Sequence, residues 1–440
     1  MNMGRKLSHG GRVIMGFQHL FAMFGATILV PLLTGLSVQV TLVAVGIGTI
    51  IFHLFSKGKV PVFLGSSFAF MVGVNLITDP NSGIFAEPFA DRAYALPYAT
   101  GAILVAGGMY FVLALVVKLV GAEKFMKVLP TVVTAPIVIL IGVMLAPFAI
   151  NQSANNIPLA LITLVIIIVF AVFGKGFPKI IPILLGIVGA YLVALLFHFV
   201  FGLTNADGSP ILVFDGAGTD IVGVPPFMWP RFNLIAILVM LPFSLATISE
   251  HIADMVILKR ISGNDYIKDP GLVRTLIGDG LATVVGGAIG GPATTTYSEN
   301  VGVVTLTKIF DPRVVQLAAI YAVVLGFSPL FASLIYSIPT AIIGGASFIL
   351  YGMIAAVGLR NLIDDKVDLG DMKNCVIVAV MLVIGLGLRF GNDIFFSVGG
   401  TNIPLSRLGV AIAVVVGVFL NFVFHLLPAI INRARGTSEK

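Results

Sequence analysis

The chain has 440 residues, of which 58% are hydrophobic and only 10% charged, with a mean hydropathy of +1.08. A soluble globular domain carries about 25% charged residues, so that class is excluded. The net charge of +6 does not point to nucleic acid, because the basic residues fall in short segments between apolar runs, where membrane topology accounts for them.

The first twelve residues, MNMGRKLSHGGR, are basic and polar, and the apolar run after them is too long for a signal peptide. They read as a cytoplasmic tail. Apolar runs near the ~20 residues needed to cross a bilayer as helix then recur to the end. Fourteen spans are predicted: 13–35, 38–55, 60–77, 97–120, 128–150, 157–173, 180–201, 232–258, 272–289, 294–310, 314–336, 339–359, 372–388 and 408–431. With both termini cytoplasmic, 22 of the 26 Lys and Arg residues fall on the inner side, leaving Arg92, Arg231, Arg389 and Arg407 outside. That asymmetry is the positive-inside pattern.

The longest loop, 203–231, divides seven spans (1–202) from seven (232–440). Seven is odd, so the second half enters the membrane from the opposite side. Homologous halves would form an inverted repeat, a plan common among secondary transporters. GSSFAFMVGV (65–74) of the third span aligns without gaps on TTTYSENVGV (294–303) of the tenth, sharing the final Val-Gly-Val and placing Phe68 on Tyr297. QHLFAM (18–23) of the first falls on EHIADM (250–255) of the eighth. Spans three and ten are also interrupted, by Pro61 and by Gly290-Gly291-Pro292. Interrupted spans in matching positions of two halves point to a transporter's binding site.

Four acids lie inside spans: Glu250 and Asp254 in the eighth, Asp279 in the ninth, Glu299 in the tenth. A charge at the bilayer centre costs about 2.5–3.5 kcal/mol on insertion scales, so these side chains face the bundle interior. Glu250 and Asp254, spaced i and i+4, share a helix face and should not both ionise easily. They would titrate as a coupled pair. A carboxyl that only hydrogen-bonds a neighbouring helix is the alternative for each, and for Asp279 packing and proton relay fit equally. His251 points about 100° away from Glu250 and suits a helix bridge as well as a ligand contact. His19 is a candidate supporting partner. No two His or Cys residues have metal-ligand spacing, no ATP-binding Gly-rich loop is present, and Cys375 is alone. No cofactor is expected, nor an intramembrane enzyme, for want of a nucleophile–base pair.

QHLFAMFGA (18–26), GSSFAF (65–70), Glu250-His251, TTYSENVGV (295–303) and ILYG (349–352) together resemble the nucleobase–ascorbate transporter family, most nearly its bacterial uracil-permease branch. The resemblance covers essentially the whole chain. It implies an all-α polytopic membrane protein of two inverted seven-span repeats, with short antiparallel strands in spans 3 and 10. Spans 1–4 and 8–11 would form a core domain, and 5–7 and 12–14 a gate domain that often dimerises. The implied substrate residues are Glu250, Glu299, Phe68 and Tyr297, with Ser67 and Ser298 beside them and Tyr351 on the gate side. Glu250, Asp254, His251 and Asp279 would carry proton coupling. The branch has glycine where Ser298 stands and often histidine where Asp254 stands; Asp254 and Asp279 are similar to purine-type relatives. The implied activity is proton-coupled import of uracil or a related nucleobase through the cytoplasmic membrane, with a purine or xanthine symporter as the alternative.

Overall fold

The computed structural model describes residues 8–80, 84–85, 91–122, 124–125, 130–214, 218–391, 394–398 and 401–428. Several expectations fall outside the described residues: the span ends at 128–129 and 429–431, basic residues Arg5, Lys6, Lys127, Arg433, Arg435 and Lys440, and the side chains of Ser298 and Arg407.

The first half contains α1 (His9–Thr34), α2 (Val38–Phe55), β1 (Leu64–Ser66), α3 (Phe68–Ile77), α4 (Leu96–Val120), α5 (Thr131–Met144), α6 (Ala146–Ser153), α7 (Ile157–Phe173) and α8 (Pro182–Phe199). The second contains α9 (Leu234–Ser262), α10 (Leu272–Ala288), β2 (Thr294–Thr296), α11 (Ser298–Thr307), α12 (Pro312–Gly326), α13 (Pro329–Tyr336), α14 (Thr340–Asp364), α15 (Met372–Phe390), β3 (Phe395–Val398), β4 (Thr401–Pro404) and α16 (Gly409–Asn421). Local chemistry sets several of these ends. Ser8, Ser37 and Asn233 accept a backbone N–H in the first turn of α1, α2 and α9, which satisfies donors the helix cannot. Gly35 and Gly263 close α1 and α9 in the left-handed region.

Among the described residues nine helices are long and apolar enough to cross a membrane, or ten if the bent pair α12–α13 counts as one. That pair bends by 86°, where the sequence reading ran one straight span over 314–336. Ser328 precedes Pro329 and is pushed to extended geometry, φ −109° and ψ 103°. Its hydroxyl then caps α13 by accepting from Phe331 N. A second departure is the antiparallel hairpin of β3 and β4, with Phe395 opposite Pro404 and Val398 opposite Thr401. Its sequence, FFSVGGTNIP (395–404), joins aromatic and β-branched residues through Gly-Gly, a hairpin signal that the helical reading passed over.

The helices pack in two groups. In one, α4 lies along α9 and α10, α2 along α10 and α12, and α1 along α12. In the other, α14 crosses α5, α6, α7 and α8, and α15 packs on α16 and α5. The groups meet where α1 touches α8, α3 touches α5, and α9 touches α5 and α16.

Candidate functional site

Pro61 and Gly290-Gly291-Pro292 break the chain before two three-residue strands. β1 and β2 pair antiparallel, with Leu64 opposite Thr296, Gly65 opposite Thr295 and Ser66 opposite Thr294. The ladder extends by one bond at each end: Ser67 N donates to Ala293 O at 2.9 Å and Tyr297 N to Phe63 O at 3.1 Å. Because the strands are antiparallel, α3 and α11 leave from opposite ends of the pair. Neither helix start is capped by a side chain, so the positive ends of both dipoles flank the strands.

Tyr297 locks this arrangement. Its hydroxyl donates to Ser66 O at 2.7 Å and lies 3.1 Å from Ser66 Oγ, which donates to Thr27 O on α1 at 3.1 Å. The ring lies directly over Gly65, where a Cβ would meet it at 2.2 Å; only glycine admits that approach. Tyr297 is 3% exposed, so the ring expected to face a base is turned onto β1. Phe68, at the first turn of α3, is half-buried between two apolar clusters. Ser67 is buried, and its Oγ has no hydrogen-bond partner among the described residues.

The ionisable residues separate by environment. Asp254, Asp279 and His251 are buried, whereas Glu250 and Glu299 keep part of their surface. Glu250 is within electrostatic reach of Asp254, Glu299 and Asp279. Asp254 accepts from Thr296 Oγ1 at 2.6 Å, which ties α9 to β2. His251 Nδ1 approaches Asp279 Oδ2 on α10 to 3.2 Å without hydrogen-bond alignment, and its ring meets Phe52 on α2 edge-on. His251 is therefore a bridge among three helices. Tyr110 of α4 donates to Thr247 on α9 at 2.6 Å, close behind this cluster. Tyr351 is buried on α14, in the other helix group.

Asn300 was not singled out from the sequence. It is fully buried on α11, and its Nδ2 donates to His19 Nδ1 and His19 O, each at 3.1 Å. This gives His19 a partner one residue from Glu299. A buried amide following an acid in an interrupted apolar run was the available signal.

A cavity of about 710 Å³ opens between the helix groups, within the range of small-molecule sites. On α9 it is lined by Ser249, Ile252, Ala253, Val256 and Arg260, and across from them by α5, α14 and α15. Glu250, three residues before Ala253 in sequence, continues that face into the protein. The mouth carries Arg260, Asp365 and Lys366. Among the described residues no group of three His, Cys, Asp or Glu side chains could hold a metal ion.

This fold is one that membrane transporters use. It matches the transmembrane domain of the cyanobacterial bicarbonate transporter BicA with a TM-score of 0.61 at 16% identity, over 94% of this chain and 98% of that one. It matches the murine anion transporter Slc26a9 in its inward-facing state with a TM-score of 0.65 at 12% identity, over 96% and 69%. Residues 10–394 match the model of a permease family. The chain is 40% identical to a uracil permease of Bacillus subtilis (97% of this chain, 95% of that protein). It is 37% identical to one of Bacillus caldolyticus (95% and 93%) and 33% identical to one of Escherichia coli K12 (94% and 92%). The chain belongs to this family, the nucleobase–ascorbate transporters, and is a multi-pass membrane protein.

Proposed function

We propose that the protein imports uracil with protons by alternating access. The observation that carries this reading is the environment of the acids. Glu250 on α9 and Glu299 on α11 keep part of their surface beside the strand pair, while Asp254 and Asp279 behind them are buried. Uracil is a flat imide with two N–H donors and two carbonyl acceptors. A carboxylate accepts from an N–H, and a protonated carboxyl also donates to a carbonyl. Glu299 reads the imide edge, Phe68 offers a stacking face worth about 1–3 kcal/mol, and Ser67 supplies a spare hydroxyl. The uracil permeases among the relatives support this substrate over a purine.

Proton coupling belongs to Glu250 and Asp254, with His251 and Asp279 behind them. Asp254 grips Thr296, so a change in its charge acts directly on β2. The two helix groups support a core domain and a gate domain moving against each other, with Tyr351 on the gate side. Fourteen crossings in two inverted sevens complete the proposal. The 43-residue stretch 131–173 would be about 65 Å long as one helix, twice the ~30 Å hydrocarbon core, and counts as two. The bent pair counts as one, and β1–α3, α10 and β2–α11 add one each. Phe348, Met353 and Val357 leave apolar surface on α14, which suits a gate-to-gate homodimer.

The test is labelled uracil uptake into proteoliposomes under an inward proton gradient. Accumulation above equilibrium that collapses with a protonophore is the expected result. Folded protein that takes up no uracil refutes the substrate, and uptake indifferent to the protonophore refutes the coupling.

A further inference from the structure

A two-stranded sheet has two open edges, and here each is closed by a threonine. Thr49 on α2 accepts from Leu64 N at 3.0 Å and donates to Leu64 O at 3.2 Å through the same Oγ1. Thr283 on α10 accepts from Thr294 N at 3.3 Å and donates to Thr294 O at 3.0 Å. Both threonines are fully buried. A hydroxyl has one donor and two acceptor sites, so a single side chain replaces the N–H and C=O that a neighbouring strand would supply. Without it, two backbone groups at membrane depth lose their partners, where nothing else satisfies them. His53, one turn after Thr49 on α2, adds a third hold, with Nε2 3.1 Å from Val62 O.

We infer that Thr49 and Thr283 are positioning residues for the substrate site. They clamp the strand pair from both sides and so fix where Ser67, Phe68 and Glu299 stand. Neither lines the cavity, and each holds the sheet through one strand residue, Leu64 or Thr294. The inference rests on the strand pair being the substrate site.

The experiment uses the purified full chain as wild type, Thr49→Val, Thr49→Ser, Thr283→Val, Thr283→Ser and Thr163→Val. Valine keeps the shape and removes the hydroxyl, while serine keeps the hydroxyl. Thr163 is the control, equally buried, with a hydroxyl that donates only within α7 to Leu159 O. Uracil affinity is measured by equilibrium binding, and amide hydrogen exchange is followed over 64–66 and 294–296. The Thr49 and Thr283 valine variants should bind uracil about tenfold more weakly, the scale of an unsatisfied buried pair. Their strand amides should exchange faster, with serine restoring both and Thr163→Val changing neither. Folded valine variants with wild-type affinity and exchange, or serine variants as impaired as valine, overturn the inference. If valine blocks folding, alanine replaces it, and alanine equal to serine overturns it. Wild type that binds no uracil sinks the substrate reading instead, and the exchange data then judge the clamp.

Discussion

Glu299 occupies the first turn of α11, next to the turn of chain that pins β1. Its carboxylate sits near the positive end of a helix dipole and keeps exposed surface, which fits recognition better than scaffolding. Glu299→Gln keeps the shape but replaces one acceptor oxygen by a donor. Uracil affinity should fall by about tenfold, or ~1.4 kcal/mol, with preference shifting toward oxidised purines; unchanged affinity in equilibrium binding refutes the reading role. Gly65→Ala tests the scaffold instead. Its Cβ would sit 2.2 Å from the Tyr297 ring, so the ring must leave and its bond to Ser66 O must break. Overpacking of this kind costs about 1–3 kcal/mol, visible as a lower melting temperature and lost uptake. The acids were legible in the sequence because a charge in an apolar run has few innocent explanations. Thr49, Thr283 and Asn300 were not, because threonine and asparagine are cheap in such runs and their partners lie up to 281 residues away.

The interrupted spans show what element-scale reading captures. Proline and paired glycines announced the breaks before β1 and β2, since neither residue type continues a helix well. The same logic was available at Pro329, where a long apolar run over 314–336 outweighed it and the bend went unread; the β3–β4 pair lies in 389–407, which was read only as a loop between spans. Packing between elements left still less trace. Gly25 on α1 lies so close to α8 that a Cβ would stand 3.1 Å from Leu184 N, at a contact between the two helix groups. Gly25→Leu would wedge that seam. Equilibrium uracil binding should persist within about threefold, while uptake falls at least tenfold, on the order of 1.4 kcal/mol in the limiting barrier. Uptake at the wild-type rate would show that α1 and α8 do not slide.

For the whole molecule, the proposed orientation makes a direct prediction. Cys375 is the sole cysteine and is exposed at the start of α15, beside cavity-lining Asn374. An impermeant maleimide should label it in inside-out vesicles and not in intact cells; the reverse pattern would invert the topology. The positive-inside count gave that orientation without any contact information, because it depends on loop charge alone. The division into two packed groups could not be counted out in this way, since it depends on which faces meet. At the far end of the bundle stands the only tryptophan, Trp229, 87% exposed. Its flanks are fastened to α10 and α4 by Met228 N to Ile289 O and Arg231 N to Pro97 O. The chain therefore carries its one tryptophan on the group that holds the acids and its one cysteine, a native attachment point, on the group across the cavity. Energy transfer from Trp229 to a dye on Cys375 would report whether the two helix groups move against each other, with no residue introduced and none removed.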